Sequence, residues 1–99
     1  MTREELEKLP ITFVLQNECT KYKYKIKLNC TGDVYYELDD EYDNFVSSLE
    51  HQYGVLDCSG HLTDDGWEVG YQSYEIEKRN FKVVKDEFKK FFKNKGLLR

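Results

Sequence analysis

Eight consecutive residues, Lys21 to Leu28, constrain this chain more than any other stretch. Lys21, Lys23, Lys25 and Lys27 alternate without a break with Tyr22, Tyr24, Ile26 and Leu28. Successive side chains of an extended segment point to opposite faces, so the pattern predicts a strand with lysines on one side and apolar groups on the other. Such a strand is stable only where its apolar side is covered. The remaining residues must therefore supply partner strands and a covering layer.

Both are legible. Ile11 to Gln16 is an apolar run of strand length, and Asn17 to Thr20 would turn it back into the lysine-rich strand. Asn29 to Asp33 reads as a turn. Val34, Tyr36 and Leu38 then carry the inward phase onto a third strand, which makes a three-stranded meander. Tyr42, Phe45, Val46, Leu49 and Tyr53 fall on one helical stripe and predict a helix over about 40–53, capped by Asp39 or Asp40 and stopped at Gly54. Val55 to Cys58 is a candidate short strand, and Ser59 to Gly66 reads as a polar loop. Trp67 to Glu77 reads as a long strand with a bulge near Gly70, because Trp67, Val69 and Tyr71 share one parity while Tyr74 and Ile76 share the other. Phe81, Val84, Phe88, Phe91 and Phe92 predict a second helix over about 82–95, ended by Gly96. At the front, Thr2 and Glu5 have capping-box spacing for a short helix over 2–8, which Pro10 closes. The expected class is α+β: a small, mainly antiparallel sheet with helices packed on one face, in one domain spanning 1–99.

Eight Tyr, six Phe and one Trp can fill a core that is short of aliphatic residues. No apolar run is long enough to cross a membrane, and the first residues lack the apolar stretch of a signal peptide, so a cytoplasmic protein is expected. Three cysteines, Cys19, Cys30 and Cys58, form no CxxC pair and read as free thiols.

The charges are sorted along the chain. Between residues 28 and 77 there are thirteen Asp or Glu and no Lys or Arg. Residues 78–99 carry nine bases against two acids, and residues 1–27 carry six against four. Sequence segregation need not survive folding. The lysine strand and the basic last helix can each pair with acids, at no more than about 1 kcal/mol per exposed pair. A surface that keeps one sign concentrated instead creates a field that steers partners of the opposite charge. Nucleic-acid-binding proteins are such partners, since phosphate contacts dominate their affinity. The residues expected to bind a basic protein of this kind are Asp39, Asp40, Glu41 and Asp43 at one helix start, and Asp64, Asp65 and Glu68 further on. Tyr35 and Trp67 would be the hydrophobic anchors.

In size, charge and α+β build the chain resembles the small acidic inhibitors encoded by phages, such as anti-CRISPR proteins and other nucleic-acid mimics. The resemblance implies an inhibitor of a nucleic-acid-handling complex. An immunity protein or antitoxin against a nuclease toxin has the same physical character. The opposite reading makes the chain itself a nucleic-acid binder. Lys21, Lys23, Lys25 and Lys27 would form a stripe about 20 Å long, joined by Lys89 and Lys93 of the last helix with Tyr35 nearby. An acidic total charge and only three arginines argue against it. An exposed edge on the first or the last strand would permit a homodimer.

No cofactor is expected. Cys58 and His61 make a C-x2-H pair that Cys19, Cys30 or His51 would have to complete for zinc. Asp39, Glu41, Asp43 and Glu50 imitate calcium-loop spacing, but Asn44 stands where the loop needs glycine. No nucleophile-and-base pattern appears, so an enzyme is not expected.

Overall fold

The computed structural model describes residues 2–18, 21–74 and 76–98, with Lys78 described by its backbone alone. Four helices and four strands follow in the order α1 (Arg3–Glu7), β1 (Thr12–Asn17), β2 (Tyr22–Lys27), α2 (Gly32–Tyr36), α3 (Asp39–Tyr53), β3 (Leu56–Thr63), β4 (Gly66–Ser73) and α4 (Lys78–Asn94). The fold is α+β, with one mixed sheet in the order β2-β1-β4-β3. β1–β2 and β3–β4 are antiparallel hairpins, and β1 lies parallel to β4 at the centre. The turn expected at Asn17 to Thr20 includes Cys19 and Thr20, which lie outside the described residues.

The alternation of β2 has the expected result. Its partner β1 aligns Phe13 with Ile26 and Leu15 with Tyr24. Phe13, Leu15, Val69 and Tyr71 therefore share one side of the sheet, and α3 and α4 cover that side. Phe13 is fully buried, with ring centroids 4.9 Å from both Phe88 and Phe92 of α4. Burying a side chain of this size contributes about 1.5–3 kcal/mol. α3 joins the core through Tyr42 against Tyr71 and through Phe45 stacked on Phe91 at 4.6 Å.

α4 ends in a Schellman motif. The Gly96 amide donates to the Lys93 carbonyl and the Leu97 amide to that of Phe92, with Gly96 at φ +73°. Leu97 is buried and its carbonyl accepts from the Asn29 amide at 2.7 Å, which ties the chain's last turn to the segment after β2. In α1, the Thr2 hydroxyl accepts the Glu5 amide as expected.

Five expectations are corrected. Residues 34–38 are not a third strand. Tyr35, Leu38 and Tyr42 stand at i, i+3 and i+7 and turn inward together, so this segment is α2 leading into α3. The meander is thus a two-stranded hairpin followed by helices. Leu38, not Asp39 or Asp40, is the N-cap of α3, and it makes no side-chain capping bond. The polar stretch 59–63 belongs to β3, which pairs with β4 through Thr63↔Gly66 and leaves a two-residue turn at Asp64-Asp65. There is no bulge at Gly70, since the register of β4 runs unbroken against both neighbours from Glu68 to Ser73. The parity shift arises because the strand stops at Ser73. The Ser73 hydroxyl accepts the Ile76 amide, and the buried Asn17 side chain donates to the Ile76 carbonyl at 2.7 Å. Ile76 is thereby folded inward outside any strand. Finally, β1 and β4 are the inner strands, so the edges open to a second chain are β2 and β3.

Candidate functional site

Eight of the thirteen acidic residues of 28–77 gather where the sheet begins. β1 and β4 both start at that end, α2 and the first turn of α3 lie beside it, and the Asp64-Asp65 turn enters β4 there. Asp33, Glu37, Asp39, Asp40, Glu41 and Asp43 are exposed on α2 and α3, and Asp64 and Asp65 are exposed on the turn. Asp39, Asp40 and Glu41 fill the first turn of α3, where the helix dipole favours negative charge. Only Glu41 of this group has an ion pair among the described residues, with Lys95 at the end of α4.

An aromatic seam joins the two acidic segments. A Cβ placed on Gly32 would lie 3.8 Å from the ring of Tyr36 and 4.0 Å from the indole of Trp67. Trp67 is half-buried against the core, and Tyr36 is 54% exposed, as is Val34 at 43%. α2 thus presents Val34 and Tyr36 outward among carboxylates, and the Trp67 indole borders them.

The structure regroups the residues expected to bind a partner. Asp39, Asp40, Asp43, Asp64, Asp65 and Trp67 share one end of the molecule. Glu68 does not join them. It lies on the opposite side of the sheet from the helices, 3.4 Å from Lys25 and 3.8 Å from His61. Tyr35 is no surface anchor, because the helical turn of α2 sends it into the core, edge-on to Tyr42 at 5.3 Å. The Tyr35, Tyr42 and Tyr71 phenols form a buried cluster. Burial pushes each well above the ordinary tyrosine value, with coulombic opposition from neighbouring phenols and, for Tyr35 and Tyr71, from Cys58. Among the described residues, no partner meets hydrogen-bond geometry at the Tyr42 hydroxyl. The exposed apolar residues at this end that sequence reading missed are Val34 and Tyr36. Their signal was the i, i+3 inward spacing of Tyr35 and Leu38, which leaves Val34 and Tyr36 outside.

The lysines divide as well. Lys23, Lys25 and Lys27 project from the side of β2 turned away from the helices, while Lys21 sits in the preceding turn at φ +58° and pairs with Glu18. Lys89 and Lys93 are exposed on α4, on the helix side. The expected single basic surface is therefore split by the sheet. Cys30 and Cys58 are free thiols, the former buried with its thiol pushed up by burial. Cys58 pairs with Tyr71 and His61 with Glu68, so the two point to opposite sides of β3 and cannot share a metal ion. Asp39, Glu41, Asp43 and Glu50 lie on the rigid helix α3, and Glu50 accepts the Leu56 amide, so they do not wrap a cation.

No protein family, curated protein or solved structure matches this chain.

The site is thus described by its own chemistry. It is a surface of carboxylates around a half-exposed aromatic seam, on elements fixed by the core. Within 28–77 no Lys or Arg interrupts it. No helix among the described residues is long and apolar enough to cross a membrane.

Proposed function

We propose that this protein is a non-enzymatic binding module that docks its acidic end onto the phosphate-binding surface of a basic, nucleic-acid-handling protein and inhibits it, inside the cell that makes it. One observation carries the reading: two separate acidic segments meet across the Tyr36, Gly32 and Trp67 seam. Carboxylates at this end occupy a partner's phosphate sites, while Tyr36 and Trp67 supply the desolvated centre that charge alone lacks. The size, charge and build are those of phage-type inhibitors such as anti-CRISPR proteins. An immunity protein or antitoxin would use the same surface against a nuclease, and the identity of the captured protein separates the two.

The test is capture from nuclease-treated extract with three baits: wild type, the Asp39→Asn/Asp40→Asn/Glu41→Gln/Asp43→Asn variant, and Tyr36→Ala. Wild type is expected to retain a nucleic-acid-binding protein that added duplex DNA or RNA displaces, and both variants are expected to lose it. Retention unaffected by nucleic acid, or equal retention by all three baits, would remove the basis of the proposal.

A further inference from the structure

The opposite end of the sheet carries a second surface of different chemistry. Where β1 ends and β2 begins, the first turns of α4 overhang the edge strand and enclose a groove of about 990 Å³. Its floor is aromatic. Tyr22 lies 6.0 Å from Phe81, ring centroid to centroid, and Tyr24 stands beside it with the Lys85 ammonium 5.4 Å above its ring. Tyr22 is 53% exposed although it belongs to the apolar phase of β2. Its wall is basic. Lys82 and Lys85 line it together with Arg79 and Lys23, and Lys89 follows beyond the groove on the same face of α4, at i+7 from Lys82.

Among the described residues two acids lie at the groove. Glu77 is held by Arg79 at 2.9 Å. Asp86 lies close enough to Tyr24 to oppose its ionisation, adding to the effect of burial. The remaining wall is net positive.

We infer that this groove is a binding site for single-stranded nucleic acid, with bases on the Tyr22, Tyr24 and Phe81 floor and the phosphate backbone along Lys82, Lys85 and Lys89. Charge complementarity selects a polyanion. The aromatic floor selects one whose flat faces are free to stack, which a duplex hides and an acidic peptide lacks. β2 is an edge strand, so no further strand covers the groove's β2 side. This site goes beyond the proposed function and does not depend on the acidic end.

The experiment is fluorescence anisotropy with a labelled oligo-dT about twelve nucleotides long, titrated between about 50 and 200 mM salt. Wild type is expected to bind at the lower salt, at least about tenfold more tightly than it binds a duplex of equal length. Tyr22→Ala should weaken binding about tenfold, and Tyr22→Phe, which keeps the stacking face, should restore it. Lys82→Gln/Lys85→Gln should reduce the slope of log K against log salt by about 1.4, the loss of two phosphate contacts. These side chains are on the surface, so thermal unfolding should show the variants folded. The acidic-end variant used for capture should bind the oligonucleotide within about twofold of wild type at 150 mM salt, which separates failure of this site from failure of the docking surface. Absence of binding at 50 mM salt would overturn the inference. So would equal affinity for the duplex or for an oligo-glutamate of matching charge, or indifference to Tyr22→Ala.

Discussion

Single residues set the tightest constraints. Gly70 lies in mid-strand at the centre of the sheet, and a Cβ there would sit 1.9 Å from the Val14 carbonyl oxygen. β1 and β4 approach too closely for any side chain. Gly70→Ala is therefore expected to destabilise by more than about 3 kcal/mol in urea unfolding, through backbone displacement at the centre of the sheet. Gly60, on the edge strand β3, is the control. A Cβ there meets the Val69 side chain at an ordinary 3.5 Å, and Gly60→Ala should change stability by no more than about 1 kcal/mol. The buried phenols add a pH dependence. Tyr35, Tyr42 and Tyr71 hold their protons more tightly in the folded chain than a free phenol does. Above about pH 10 the unfolded state binds fewer protons than the native one, so their contribution is intact below pH 10 and lost as pH rises beyond it. Three such groups give a slope of about 4 kcal/mol per pH unit. In an alkaline titration their phenolate absorbance should appear only with unfolding, in one cooperative step. Smooth ionisation of all eight tyrosines with native near-ultraviolet dichroism retained would show that the cluster is not sealed. Tyr35 also shows a limit of sequence reading: as a strand residue it falls on the outer parity, and only the helical turn of α2 sends it inside.

The elements were legible to different degrees, for physical reasons. β2, α3 and α4 carry long unbroken periods, and burial follows those periods except at the exposed Tyr22. α2 has five residues, too few to distinguish a period of two from one of 3.6, and Val34, Tyr36 and Leu38 fit the wrong one. β3 is an edge strand whose outer residues are polar and small, so Ser59 to Thr63 resembles a loop until its pairing with β4 is known. The parallel β1–β4 pair joins residues more than fifty positions apart, and nothing local encodes it. Capping offers a test at this scale. The N-cap of α4 is Glu77, which has N-cap dihedrals but makes no side-chain capping bond. Glu77→Ser should stabilise by about 0.5–1 kcal/mol, a gain of several degrees in thermal unfolding, even after the exposed Arg79 pair is lost. No gain would mean that the Arg79 pair contributes more than exposed pairs usually do.

At the scale of the whole molecule, charge segregation was the sequence feature most informative about function, and folding preserves it only in part. Glu68 and Glu41 are taken up by Lys25 and Lys95, and Lys27 lies at the acidic end. What remains is an acidic seam where β1 starts and a basic aromatic groove where β1 ends. A six-residue strand separates these ends by about 17–20 Å, within a molecule whose longest dimension is 39 Å. That separation exceeds the Debye length of about 8 Å at 0.15 M salt and is less than the roughly 30 Å at 0.01 M. The two ends should therefore act independently under physiological conditions and feel one another only at low salt. Amidation of Asp39, Asp40, Glu41 and Asp43 removes negative charge that repels an oligonucleotide approaching the groove. At 0.15 M salt the variant should bind oligo-dT as wild type does, whereas at 0.01 M it should bind about threefold more tightly. Lys82→Gln/Lys85→Gln should in turn leave capture by the acidic end unchanged at 0.15 M. If amidation abolished oligonucleotide binding at either salt, the carboxylates would be supporting the groove's structure, and the picture of two sites coupled only through the field would be wrong.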